Sequence, residues 1–178
     1  MTTFEVAAAP IFDKKDHDRL VQMRRAAADN RGAPYFTLVF PGAELGLAEF
    51  TRHVTAAAKL VKRIKFVLRS AVVVPDPQVR SYHVFLVPDE GFGAIIRLYE
   101  RLHAGALKPC LRAELAYIPH LTVASHRDPD SARRNAAALN AEAFAIPGRI
   151  EELEILRIEG EVIRRAATVP LASAGLFG

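Results

Sequence analysis

The sequence predicts an α+β (α/β) fold, and three observations carry that prediction. Short β-branched and aromatic runs alternate with amphipathic helical stretches, the last two runs form a hairpin about Gly160, and one four-residue pattern occurs twice, about half a chain apart. Residues 3–6 open with a short strand. Asp13 or Asp16 caps a helix that carries Leu20, Met23 and Ala27 among its apolar positions and ends before Asn30-Arg31-Gly32. Residues 34–41, Pro-Tyr-Phe-Thr-Leu-Val-Phe-Pro, read as a strand bounded by prolines. Leu47, Phe50, Val54, Ala57 and Val61 then recur at helical spacing.

Residues 63–74 are one strand or a bent pair, stopped by Pro75-Asp76-Pro77, and residues 81–87 form the next strand. Phe92, Ile95, Ile96, Tyr99 and Leu102 make another helical stripe. Residues 118–124 are a strand. Asp128 and Pro129 supply the cap and first-turn proline of a helix running to about Asn140. Residues 150–158 and 161–169 complete the hairpin. Residues 1–171 are expected to form a single domain, and residues 172–178, small and weakly apolar, a frayed tail.

Composition narrows the function classes. A chain of 178 residues that is 51% hydrophobic can bury a core without covalent staples. Its one cysteine, Cys110, permits no intrachain disulfide and reads as a buried, inert thiol in a reducing cytoplasm. No apolar run approaches bilayer length, and residues 1–10 lack the basic lead and apolar segment of a secretory signal. A cytoplasmic location away from membranes is therefore expected. The net charge of +4 (24 basic less 20 acidic residues) suits phosphate-bearing ligands, although no basic block forms a nucleic-acid arm. The absence of a Gly-rich phosphate loop argues against P-loop and Rossmann chemistry. There is no HExxH or CxxC, and the His120/His126 pair lacks a carboxylate at ligand spacing, so neither a metal nor a cofactor is expected. Nothing in the sequence points to an obligate protein partner.

The chemistry-bearing feature is the repeated pattern. Tyr35-Phe36-Thr37-Leu38 and His120-Leu121-Thr122-Val123 both read polar aromatic, apolar, threonine, apolar, each after a proline (Pro34, Pro119), with 120 − 35 = 85 residues between them. On a strand the first and third residues share a face. Tyr35 with Thr37, and His120 with Thr122, would thus turn polar groups to one side while Phe36, Leu38, Leu121 and Val123 face a core. The spacing suggests duplicated lobes related by a pseudo-twofold axis.

These two segments, with the helix before each and the unit at residues 81–102, resemble the signatures of the 2H phosphoesterase superfamily, in particular 2′-5′ RNA ligase-like proteins and RNA 2′,3′-cyclic phosphodiesterases. The resemblance implies a bilobal fold of two small, mostly antiparallel sheets flanked by helices around a central cleft lined by both motifs. It also implies metal-independent action on 2′,3′-cyclic or 2′-5′-linked nucleotide or RNA-end phosphodiesters. Imidazoles suit such chemistry because they accept and donate protons near neutral pH, and threonine hydroxyls can steady phosphate oxygens.

The departure is Tyr35, which stands where the family has its first histidine. A phenol, with an ordinary pKa near about 10, can donate a proton but is a poor base at neutral pH. His120, Thr122, Thr37 and Tyr35 are the candidate site residues, and two readings stay open: a phosphoesterase weakened or altered by the lost imidazole, and a catalytically inactive pseudoenzyme that binds nucleotides or RNA ends. Among the other histidines, His17, His53 and His103 read as surface or helix-edge residues, His83 as a core residue in the first instance with the cleft edge as the alternative, and His126 as a turn residue before Pro129. Arg69, Arg80 and Lys108 sit near expected strand ends as possible phosphate anchors, though as ordinary solvated surface in the first instance.

Overall fold

Two four-stranded antiparallel sheets are built from the same local order of elements used twice. The computed structural model describes residues 2–26, 34–42, 45–112 and 116–173. The first run is β1 (Thr2–Ala8), α1 (Lys14–Ala26), β2 (Phe36–Val39), α2 (Leu47–Ala58) and β3 (Ile64–Asp76). The second is β4 (Ser81–Glu90), α3 (Phe92–Leu102), a short 3₁₀ helix (Gly105–Cys110), β5 (Leu121–His126), α4 (Pro129–Ala141) and β6 (Ile146–Ile150). The hairpin β7 (Glu152–Glu159) and β8 (Val162–Pro170) closes the fold. The sheet orders are β2-β1-β7-β8 and β5-β4-β3-β6, so each repeated motif sits on an edge strand.

The duplication reaches down to a backbone irregularity. Val6 pairs with Val39 and Ala7 with Thr37, which leaves Leu38 as an extra residue on β2. Val84 pairs with Ala124 and Phe85 with Thr122, which leaves Val123 as the extra residue on β5. Leu38 and Val123 are both the fourth residue of their motif. Bulges of this kind bend an edge strand and re-aim its side chains.

Local signals act as the sequence foretells. Asp13 caps α1, its carboxylate accepting from the Asp16 amide at 2.8 Å, and Asp128 caps α4 by accepting from the amides of Asp130 and Ser131. The predicted α1 position Ala27 and the stop at Asn30–Gly32 lie outside the described residues. Phe36 of β2 meets Phe66 of β3 edge-on at 5.1 Å, so the buried face of the first motif is rooted in a core shared by both sheets. Beyond Leu68, β3 loses β6 as a neighbour, and the Asn140 amide takes that place by bonding both the N–H and C=O of Ala71 (2.8 and 2.9 Å).

Several expectations need correction. Strand β2 begins at Phe36 and β5 at Leu121, so Tyr35 and His120 stand one residue outside their strands. The ladder for β2 ends with β1 at Ala8, and Pro88 and Pro119 remove donors where β5 would otherwise extend. Strand β6 has no forecast counterpart, and Ile150 belongs to it rather than to the hairpin. Its Pro147-Gly148 pair looks like a turn, yet Gly148 lies under Phe66, where a Cβ would come 2.5 Å from the ring and 2.7 Å from Phe12. The tail expected to fray from residue 172 is anchored at its first residue, Ala172 bonding Val61 and Arg63 through its backbone. Residues 174–178 lie outside the described residues.

Candidate functional site

The polar faces of both motifs open into one cavity of about 350 Å³, within the range of small-molecule sites. Tyr35 and Thr37 come from the first lobe, His120 and Thr122 from the second, and all four line this space. Within each motif the intervening and following apolar residues, Phe36, Leu38, Leu121 and Val123, are buried on the opposite side. The alternation expected from strand geometry holds even though the leading residues precede the strands.

His120 is held tightly. Its Nδ1 lies 2.5 Å from the Ile118 carbonyl oxygen, which can only accept, so in the neutral ring Nδ1 carries the proton and Nε2 carries the lone pair. One face of the ring stacks on Phe85 with centroids 3.5 Å apart. Burial, with the neighbouring His83 as a smaller contribution and the Ile118 bond opposing, pushes the imidazole down to about pKa 4. At neutral pH it is an uncharged acceptor.

Thr37 has a different setting. Its hydroxyl donates to Glu5 of β1 at 3.4 Å, and Glu5 is only 8% exposed. Burial raises the Glu5 pKa, with the Thr37 bond opposing. The Thr37 carbonyl accepts from the Tyr117 hydroxyl at 3.0 Å, a bridge from the segment preceding β5 to β2. Tyr117 stacks flat on Tyr99 of α3 at 3.8 Å, and burial drives its phenol pKa well upward, so it stays a donor.

The cavity wall adds residues to which the sequence assigned other roles or none. His83 lines it, the alternative to the preferred core position. Its Nδ1 is 2.8 Å from the Ser125 hydroxyl and its Nε2 3.5 Å from Asp76. Arg24, 5% exposed on the last turn of α1, and Arg112, stacked over Phe40 at 5.5 Å, supply cationic groups to the lining. The three basic residues singled out from the sequence do not line it. Arg69 is engaged by Asp89 and Glu90, and Arg80 and Lys108 are exposed elsewhere. His103 caps the C-terminal end of α3 but is buried there against the Tyr99 carbonyl and not at the surface, and His126 ends β5 opposite Tyr82 instead of lying in a turn. Helical position and strand length do not reveal such placements. Among these added residues only His83, on a strand whose face could border a cleft, had a sequence signal. Among the described residues, no three His, Cys, Asp or Glu side chains cluster to hold a metal, and no helix is long and apolar enough to cross a membrane.

Against known proteins the fold is familiar and the sequence is remote. The chain is similar to a crystal structure of a phosphoesterase at TM-score 0.56 and 16% identity, covering 97% of this chain and 99% of that one. Kluyveromyces marxianus Usb1 with uridine monophosphate gives TM-score 0.54 at 13% identity, and E. coli LigT complexed with 3′-AMP gives 0.54 at 15%; each covers 96% of this chain and 98% of the other. No curated protein matches by sequence. The profile of the 2′-5′ RNA ligase superfamily matches residues 12–161, a span holding both motifs and the cavity they line. The chain belongs to the 2′-5′ RNA ligase superfamily and has the 2H phosphoesterase fold.

Proposed function

We propose that this cavity binds a nucleotide or RNA-end phosphodiester, 2′,3′-cyclic or 2′-5′-linked, and that His120 drives its hydrolysis or transesterification without a metal. The observation that carries the reading is His120 itself. An imidazole fixed through Nδ1 keeps its Nε2 lone pair for a reacting hydroxyl or water, in a cavity that it shares with two threonine hydroxyls. Thr37 and Thr122 would hold the phosphate oxygens, Arg24 and Arg112 would balance their charge, and Tyr35 would donate a proton to the leaving oxygen or orient it. That the similar LigT and Usb1 structures hold 3′-AMP and uridine monophosphate supports a nucleotide as the ligand class.

An imidazole with so low a pKa is a weak base until a bound anion draws it upward, and the phenol at position 35 is no base at neutral pH. Both features favour slow turnover. The second reading, a nucleotide-binding protein without chemistry, rests on Tyr35 alone. Incubating the protein with a 2′,3′-cyclic nucleotide separates them. Product formation that His120→Ala abolishes supports the enzyme, whereas saturable binding with no product at any pH, lost in Thr37→Ala/Thr122→Ala, supports the binder. Equal turnover by wild type and His120→Ala would remove the catalytic reading.

A further inference from the structure

Thr37 has one hydroxyl proton, and the structure gives it to Glu5. A hydroxyl that donates to a carboxylate cannot donate to an anion in the cavity at the same time; it turns lone pairs toward that anion instead. Glu5 does not line the cavity. It is buried on β1, on the same face of the sheet as Thr37 and two residues from Ala7, which stands opposite that threonine.

We propose that Glu5 is a positioning residue for the cavity: ionised, it keeps the Thr37 hydroxyl turned away from a ligand, and protonated, it donates to Thr37 Oγ1 and releases that hydroxyl to an anion. The proton comes from solvent, no bond other than O–H changes, and anion binding is therefore coupled to uptake of one proton by Glu5. The inference rests on the reading that Thr37 contacts the ligand's phosphate.

Among the described residues the side chain that bonds the Glu5 carboxylate is Thr37, and the cations Arg24 and Arg112 line the cavity, which Glu5 does not. On its face of the sheet stand Thr3 of β1, Tyr35 and Thr37 from the β2 segment, Leu156 opposite it on β7, and Glu154 one pair further along. Arg165 on β8, opposite Leu156, pairs with Glu154 at 2.9 Å rather than with Glu5. Tyr117, from the segment before β5, reaches only the Thr37 carbonyl and remains a phenol. A bound anion adds negative charge beside the carboxyl, which favours its protonated form further.

Inorganic sulfate is a suitable probe because its own charge is constant across the range tested. Its affinity is measured by calorimetry from about pH 5 to pH 8, in two buffers of different ionisation enthalpy, for wild type and Glu5→Gln. Wild-type affinity should fall with rising pH, at the steepest by about tenfold per unit, with matching proton uptake. In Glu5→Gln an amide N–H takes the role of the protonated carboxyl, so the fall and the uptake should shrink and binding near neutral pH should be several-fold tighter than in wild type. Contributions from His83 and His120 are common to both proteins and cancel in the comparison. Should Glu5→Gln not fold, Thr37→Ser should keep the wild-type pH slope while Thr37→Val weakens binding and flattens it. Parallel pH curves in wild type and Glu5→Gln, or equal slopes in the serine and valine variants, would overturn the proposal alone. No sulfate binding by any of these proteins at any pH would overturn it together with the reading of the cavity.

Discussion

The two lobes present their motifs on matching backbones and surround them with different chemistry. Both motifs start one residue before an edge strand and both carry a bulge at their fourth residue. Opposite Thr37 stands Ala7; opposite Thr122 stands Phe85. Two residues earlier on the neighbouring strands come Glu5 in the first lobe and His83 in the second. The second lobe therefore has an aromatic plate on which His120 lies, and a second imidazole beyond it. In the first lobe a methyl group occupies the place of that plate and a buried carboxyl accepts from the threonine. The leading residue, tyrosine in one motif and histidine in the other, is thus one difference among several, and a histidine placed at position 35 would meet surroundings unlike those of His120.

The largest test of this asymmetry is His120→Ala. It should lower turnover of a 2′,3′-cyclic nucleotide by roughly 10²–10⁴-fold, the usual contribution of a positioned acid or base, with an unchanged circular dichroism spectrum. Tyr35→His should raise turnover by up to about 10²-fold, as followed by product formation at neutral pH. A flat response would show that Ala7 and Glu5, and not residue 35 alone, limit the first lobe.

Phe85→Ala removes the plate. Denaturant melts should show a loss of about 3–4 kcal/mol, as for other buried aromatics. Titration of the His120 ring by NMR should show its pKa rise from about 4 toward the ordinary 6.5, because solvent reaches the face that Phe85 now covers. The same depressed pKa has a consequence for stability. Between its ordinary 6.5 and about 4 the unfolded chain binds a proton at His120 that the native state does not. Stability should therefore decline as pH falls through that window, by at most on the order of 3 kcal/mol, and the decline should be smaller in His120→Asn when melting temperature is followed against pH. Tyr117→Phe is the mildest change, about 1 kcal/mol for one hydrogen bond between the lobes, measured by urea denaturation.

The sequence made the motif geometry readable and hid its neighbours. A proline followed by alternating polar and apolar residues is local information, so the shared face of His120 and Thr122, and of Tyr35 and Thr37, could be read directly. The caps at Asp13 and Asp128 were legible for the same reason. Strand β6 was not, since Pro147-Gly148 signals a turn and only the approach of Phe66 explains the glycine. Arg24, Arg112, His83 and Glu5 reach the site or its backing through tertiary packing. A buried arginine at a helix end leaves no periodic trace, and a strand glutamate looks solvent-facing until the sheet is assembled. The matched bulges are equally invisible, because an extra residue shows only against the register of a partner strand.

The Tyr117 hydroxyl ties the segment before β5 to the main chain of β2 across the gap. By clasping the Thr37 main chain from the opposite lobe, it works as a spacer of fixed length, one phenol across, propped on Tyr99. The separation of the two motif segments on that side of the cavity is thereby set by the protein's own contacts.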